Sequence, residues 1–387
     1  MKLAYVTTYD SRRLSGQSSR EWSGTGYYIA QSLKKQAIPL EYVGSLQDKL
    51  AGKAIGKFKR HYYQLHRKTY VKITEPWFLR DYANQVARKL SKIEADIVFS
   101  ATPTPIAYLE CKQPIVFWGD ATFANLIDFY PQYSNLCQES IDNGHSMERK
   151  ALQKAKLAIY ASDWAAQTAI DYYQADPKKV KVVPFGANTD SGKTVDEIKD
   201  AIQSRPSNQC KLLFLGVEWF RKGGDVAFKV ARELNNRGLN TQLTVVGCQP
   251  IVKDSLPSFV KPLGYISKST KQGKEKISRL MAESHFLIVP SRAECFGVVF
   301  CEANSLGVPC LATKVGGIPT IIRDNINGHL FDLKATEQEY CDYIIRLFSQ
   351  YNNYRQLATS CFNEYQSRLN WFVSGKLVKS SLESILN

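Results

Sequence analysis

The sequence predicts an α/β protein of two domains, each built on a parallel sheet, on three observations. Short apolar runs rich in β-branched residues recur along the chain, helical patterns separate them, and a polar stretch after residue 186 precedes a second round of the same alternation. With 387 residues, 44% hydrophobic and 22% charged, the chain is long enough for two domains that each bury a core, and its composition excludes a disordered protein.

In the first half the strand-like runs are Leu3 to Val6, Ile97 to Phe99, Ile115 to Phe117, Leu157 to Tyr160 and Val180 to Val183. Continuous apolar runs of this length suit strands buried on both faces of a parallel sheet. Helices are predicted at Thr25 to Lys35, at Glu75 to Lys92 behind Thr74, and at Asp163 to Gln174 behind Ser162. A short side-chain oxygen ahead of an apolar-periodic segment satisfies a free N–H of the first turn, which marks Thr74 and Ser162 as caps. From Gly186 to Gln209 the chain is polar, lacks a long apolar run and carries Pro206, so it reads as a linker or surface excursion.

The second half is the more regular. It alternates Leu212 to Leu215, a helix from Gly224 to Asn235, Leu243 to Val246, Leu263 to Tyr265, a helix from Lys274 to Glu283, Phe286 to Val289, a helix from Gly297 to Leu306, and Pro309 to Ala312. After Gly328 to Phe331 come helical stretches at Glu337 to Ser349, Tyr354 to Arg368 and Val373 to Leu386, with no further strands to cover. The expected division is therefore 1–187, with about 369–387 crossing back to it, and 188–368.

The formal net charge is +15, spread over both halves. Such an excess attracts nucleic acid, anionic lipid or a phosphorylated substrate without choosing among them, and its diffuse placement argues against nucleic acid. The densest patch holds Lys53, Lys57, Lys59, Arg60, Arg67, Lys68 and Lys72, with no acid from Ala51 to Ile73 and with Phe58, Tyr62, Tyr63 and Tyr70 interleaved. Two readings stay open for it: a solvated helix or loop, with Gln, His and Thr interrupting the apolar face, or peripheral contact with a membrane. No run approaches the roughly 20 apolar residues that cross a bilayer, and the start, Lys2 to Thr8, resembles a first buried strand more than a secretion signal. Nine scattered cysteines show no paired metal-ligand spacing, and Cys111, Cys210, Cys301 and Cys310 sit in or beside apolar segments. The five histidines form no ligand motif, so no metal site is expected and a reducing, cytoplasmic setting fits, with the inner membrane face as its peripheral variant.

Four clusters can carry chemistry. The first is Ser291 to Pro309, where Glu294 and Glu302 flank the start of a helix that follows the strand Phe286 to Val289. Free backbone N–H groups near Phe296, Gly297 and Val298 can receive phosphate oxygens, and Gly297 has no side chain to obstruct them. The same residues fit an ordinary helix with one capping and one solvated acid. The second is Gly216-Val-Glu-Trp-Phe-Arg-Lys-Gly-Gly224, whose Arg221 and Lys222 lie at a strand's carboxyl end, where open α/β sheets bind ligands. There they can neutralise a diphosphate, or simply flank a turn. The third is Arg20 to Gly26, where Gly24 and Gly26 make a loose phosphate-cradling loop that fits neither full dinucleotide nor P-loop spacing. The fourth is Phe117 to Phe123, in which Asp120 follows a strand and is either an exposed loop acid or a group that orients an acceptor hydroxyl.

The Glu-x7-Glu spacing of Glu294 and Glu302, the Phe296-Gly297 step after the first, Gly307-Val-Pro309 and Lys314-Val-Gly-Gly-Ile-Pro319 together resemble the large retaining glycosyltransferase family of GT-B fold. That resemblance covers nearly the whole chain and implies two Rossmann-like domains facing each other across a cleft. It further implies transfer of a hexose from a UDP- or GDP-sugar to an acceptor hydroxyl of a glycan, lipid-linked or small molecule, with retained configuration and without cofactor or metal. By it Glu302 binds the ribose, Glu294 the sugar hydroxyls and Lys222 the diphosphate, with backbone contacts from Phe296, Gly297 and Val298. Arg221 adds positive charge, and Gly24 approaches from the opposite domain. Two departures stand out: Val217 occupies the place of a frequent arginine, and Asp120 that of a frequent acceptor-side histidine. They leave room for two other readings, a nucleotide-sugar-binding protein without turnover and a nucleotide-sugar epimerase.

Overall fold

The computed structural model describes residues 1–14, 24–189 and 194–386. It forms two compact units, Met1–Pro184 with Ser374–Asn387, and Phe185–Val373. Arg20 to Ser23, part of the loop read as a phosphate cradle, lie outside the described residues.

The first unit runs β1 (Leu3–Val6), α1 (Thr25–Lys35), β2 (Leu40–Val43), α2 (Leu50–Leu65), α3 (Pro76–Leu90), β3 (Ile97–Ser100), β4 (Ile115–Gly119), α4 (Phe123–Leu126), α5 (Gln138–Lys154), β5 (Ala155–Tyr160), α6 (Asp163–Asp171) and β6 (Val180–Val182). Its six strands pair in the order β2-β1-β3-β4-β5-β6, all parallel. Strand β1 is fully buried and stands where the order reverses, so the chain leaving it opens at the carboxyl edge of the sheet. Gly24 closes that excursion as the N-cap of α1 with φ 82°, a left-handed conformation that favours glycine. Asp120 follows β4 directly and is half-buried.

Ser162 caps α6 as expected, accepting from Ala165 N–H at 3.3 Å. Thr74 does not cap α3. Its hydroxyl donates to the Val71 carbonyl at 2.8 Å, and Glu75 is the extended residue before a helix opened by Pro76. Proline forces its predecessor out of the helical region and needs no cap for an N–H it lacks. Helix α5 shows no clear apolar period because its buried face is Ser140, Gly144, Met147, Glu148 and Ala151, in which Met147 is the one large apolar side chain. Gly144 is required there: a Cβ would lie 2.1 Å from the Phe123 ring.

The second unit runs α7 (Val195–Gln203), β7 (Cys210–Leu215), α8 (Gly224–Asn236), β8 (Thr241–Val246), β9 (Val260–Pro262), α9 (Lys271–Glu283), β10 (Phe286–Val289), α10 (Val298–Asn304), β11 (Cys310–Thr313), α11 (Ile318–Ile321), β12 (Gly328–Phe331), α12 (Glu337–Ser349), α13 (Tyr351–Arg368) and the start of α14 (Trp371–Leu386). The strand order β12-β11-β10-β7-β8-β9, again all parallel, is the dinucleotide-fold order with its reversal between β7 and β10. From Ser374 onward α14 belongs to the first unit, where Ser374 Oγ donates to the Pro184 carbonyl at 2.7 Å and Lys379 Nζ to the Gln36 carbonyl at 3.1 Å.

Three further expectations change. The polar stretch read as a linker holds α7, started by a capping box in which Thr194 and Glu197 satisfy each other's N–H, with Ile198 and Ile202 buried. Arg205 beyond it is buried and spends its guanidinium on the carbonyls of Ala282, Leu306 and Gly307 and on the Tyr354 hydroxyl, at 2.7–3.0 Å. The strand expected at Leu263 to Tyr265 lies at Val260–Pro262, because the chain leaves the ladder at Gly264 with φ 63°. Helix α10 is shorter than Gly297 to Leu306: Gly297 is left-handed at φ 95°, and Gly307 at φ 60° ends it with Val308 N–H on the Ala303 carbonyl. Of the cysteines, Cys210, Cys301 and Cys310 are buried and Cys111 is half-buried, all as free thiols.

In the first unit the fully buried Glu148 accepts from Phe123 N–H at 3.2 Å and from the Tyr160 hydroxyl at 3.1 Å. Burial pushes its carboxyl up to about 7, against the opposing pull of those two donors. The folded group therefore holds its proton to higher pH than the unfolded one at 4.5. Its contribution to stability is complete below that value and is lost as pH rises through about 7. Glu148→Gln, which keeps the neutral shape, is expected to raise stability at pH 8 by up to about 3 kcal/mol and to flatten the melting temperature between pH 5 and 8. Thermal melts of both proteins across that range measure it.

Candidate functional site

The reversal between β7 and β10 parts the chain at the carboxyl edge of the second sheet, and the two loops that follow these strands meet there. The β7 loop ends at Gly223, the left-handed N-cap of α8 with φ 77°. A Cβ at this position would lie 2.1 Å from the Pro290 carbonyl oxygen of the β10 loop. Only glycine permits both the conformation and the approach. Backbone and side chain then join the loops: Arg292 N–H donates to the Arg221 carbonyl at 2.7 Å, and Arg221 Nη1 to the Ala293 carbonyl at 2.8 Å.

This contact sets Lys222 against Glu294 in an ion pair, with side-chain exposures of 14% and 12%. Gly216 leaves room for the lysine stem, since a Cβ there would lie 2.8 Å from Lys222 Cγ. Glu294 is held from behind by Gly317 N–H, which donates to its backbone carbonyl at 3.2 Å from the loop after β11. Arg221 pairs with Glu218, so its guanidinium is used within the loops. Arg292 grips Asp225 on α8 through two bonds of 2.7 and 2.8 Å. Burial alone would raise the Asp225 carboxyl, but the bonded arginine outweighs it and holds the group below the usual carboxylate range.

Beyond Glu294 the chain reaches Phe296, Gly297 and Val298. The Phe296 ring is buried against Phe185, with centroids 5.2 Å apart, so this residue offers a ligand its backbone only. The N–H groups of Phe296, Gly297 and Val298 find no hydrogen-bond partner among the described residues. Glu302 lies further along α10 with 1% of its side chain exposed, and its carboxylate is met by Lys268. It neither caps its helix nor faces solvent.

Of the sequence-predicted residues, Arg221, Lys222, Glu294, Phe296, Gly297 and Val298 thus share one loop cluster, with Glu302 beside it on α10. Gly24 and Asp120 belong to the first unit. Sequence reasoning missed Lys268, Arg292 and Asp225. Lys268 lies in the loop between β9 and α9, which carries no motif to single it out; its contact with Glu302 does.

Among known proteins, residues 195–361 match the family described as glycosyl transferases group 1, and residues 27–191 match glycosyltransferase family 4. A D-inositol 3-phosphate glycosyltransferase of Segniliparus rotundus is 29% identical over 175 residues, which is 43% of this chain and 39% of that protein. Another from a Nocardioides species is 28% identical over 209 residues, covering 48% and 44%. The chain therefore spans about two fifths of the length of these curated relatives. Among solved structures, a sucrose-phosphate synthase from Thermosynechococcus elongatus superimposes with a TM-score of 0.69 at 15% identity over 99% of this chain and 98% of its own. Anabaena HepE in complex with UDP-glucose gives 0.62 at 17% identity over 99% and 100%. At such identities the likeness establishes the fold.

Gly223→Ala tests the loop contact. The variant is expected to lose at least about 2 kcal/mol of stability, from left-handed strain and the clash with Pro290, as measured by urea unfolding.

Proposed function

We propose that the chain is a glycosyltransferase of GT-B fold, its two halves each matched by a glycosyltransferase domain family, and that it moves a hexose from a nucleotide diphosphate sugar to an acceptor hydroxyl with retained anomeric configuration and without a metal. The observation that carries this reading is the Lys222–Glu294 pair beside three N–H groups without a partner among the described residues, at the strand reversal. A cation, a carboxylate and backbone donors at one point suit a ligand that joins phosphate to hydroxyls.

In this reading Lys222 turns from Glu294 to the diphosphate, and the N–H groups of Phe296, Gly297 and Val298 receive its oxygens. Glu294, released, accepts hydrogen bonds from the donor sugar's hydroxyls. Glu302 accepts from the ribose hydroxyls, with Lys268 pairing with the buried carboxylate and holding it in place. Arg221 fixes the loop geometry and adds positive potential, and Val217, exposed beside it, leaves that task to the neighbouring basic pair. In the first unit Gly24 offers backbone and Asp120 orients the acceptor hydroxyl.

No residue of the site is placed as a covalent nucleophile, so the reaction we favour is front-face. The bond from the anomeric carbon to the diphosphate breaks through an oxocarbenium-like transition state, and the acceptor oxygen attacks from the same side. Its proton passes to the departing phosphate oxygen, while Lys222 and the N–H groups stabilise the negative charge that develops there.

A panel of nucleotide sugars screened by thermal shift is expected to single out one donor that stabilises the protein, since a ligand of the folded state raises its melting temperature by mass action. Transfer from that donor should persist in EDTA and give a product whose first-formed anomer, read by NMR, keeps the donor configuration; an inverted product overturns the mechanism. Glu302→Ala is expected to weaken donor binding about tenfold or more, and Glu294→Ala to lower turnover more than affinity. Unchanged affinity and turnover in both variants would remove these roles.

A further inference from the structure

Helix α2 packs on the first unit through a narrow strip. Gly52 and Gly56 face inward, where a Cβ would lie 2.5 Å from the Trp77 ring and 2.6 Å from Lys72 Cδ. Lys59 also turns in, its ammonium 2.8 Å from Glu75 and 2.6 Å from Glu139, and the Tyr63 hydroxyl donates to Glu139 at 3.0 Å. These positions recur at helical spacing and mark one face.

The outward surface divides in two. Ile55, Phe58, Tyr62 and Leu65 form a stripe with steps of three, four and three residues, and are 46%, 72%, 48% and 70% exposed. His61 and Gln64, which break the pattern in the linear sequence, fall outside this stripe, on the side that carries Lys53, Lys57 and Arg60. Those three cations are exposed, as is Arg67 just past the helix, and none forms an ion pair among the described residues. No acid occurs from Ala51 to Ile73.

We propose that α2 lies in the interface of an anionic lipid bilayer, its Ile55–Phe58–Tyr62–Leu65 stripe toward the acyl chains and its cationic flank among the headgroup phosphates. An apolar stripe edged by unpaired cations on an otherwise anchored helix is the arrangement of an in-plane membrane helix: burial of the stripe supplies adhesion and the cations supply attraction to anionic lipid. A second copy of the chain fits the face poorly, because a twofold contact would bring the same unpaired cations together. The inference rests on the first unit alone and does not depend on the donor site.

Flotation of the full chain with phosphatidylcholine vesicles, with and without phosphatidylglycerol, tests it. The protein is expected to float with the anionic vesicles. Phe58→Asp/Leu65→Asp should reduce the bound fraction at least about tenfold with an unchanged thermal melt, since both side chains are already exposed. Lys53→Ser/Lys57→Ser/Arg60→Ser should abolish the dependence on phosphatidylglycerol and on salt. A wild-type chain that stays out of both vesicle fractions, or variants that float as it does, overturns the proposal. So does light scattering that shows a dimer which the apolar variant converts to monomer, as this assigns the stripe to a second copy. Donor-dependent thermal stabilisation should be the same in all of these proteins, which keeps failure here distinct from failure of the donor site.

Discussion

The approach of two loops at the strand reversal of the second unit governs everything the site can do. Strands β7 and β10 are neighbours in the sheet, but their following chains lead to α8 and to the segment before α10. They can touch only where a residue without a side chain meets the Pro290 carbonyl, and Gly223 is that residue. Once the backbones are in contact, Arg221 reaches the Ala293 carbonyl and Lys222 meets Glu294. Displacing either backbone by the width of a methyl group would separate the lysine from the carboxylate and turn a ligand-sized constellation into two ordinary surface charges.

Each of the two site carboxylates has its own lysine, and the two pairs differ in kind. Glu294 and Lys222 each keep a small exposed fraction, so a diphosphate can reach the ammonium and take the carboxylate's place. Glu302 is almost wholly withdrawn from solvent, and an unpaired carboxylate there would carry a large desolvation penalty. Lys268 therefore does structural work before any ligand arrives. The distinction fits a division of labour in which one acid is released on binding and the other stays fixed.

Much of this was legible in the sequence where a single physical signal decided the matter. The fully buried, largely apolar strands β1, β3, β10 and β11 read directly, because burial on both faces admits little else. Glu294 and Lys222 were legible because strand, short loop and helix follow in order, and strand ends are where α/β sheets carry ligands. The failures have physical causes of their own. Helix α5 hides its buried face behind Ser140, Gly144 and Glu148, and the nine-residue α7 buries only Ile198 and Ile202. The stripe on α2 looked interrupted because neighbours in sequence project in different directions from a helix. Lys268 sits among Ser267, Ser269, Thr270 and Lys271, where nothing in the sequence singles out one cation.

A crystal structure of the chain with UDP or GDP bound tests the central claim most directly. The account predicts the diphosphate against Lys222 and the N–H groups of Phe296 to Val298, with Lys222 parted from Glu294 and the ribose hydroxyls on Glu302. A nucleotide seated elsewhere, with the Lys222–Glu294 pair intact, would contradict it.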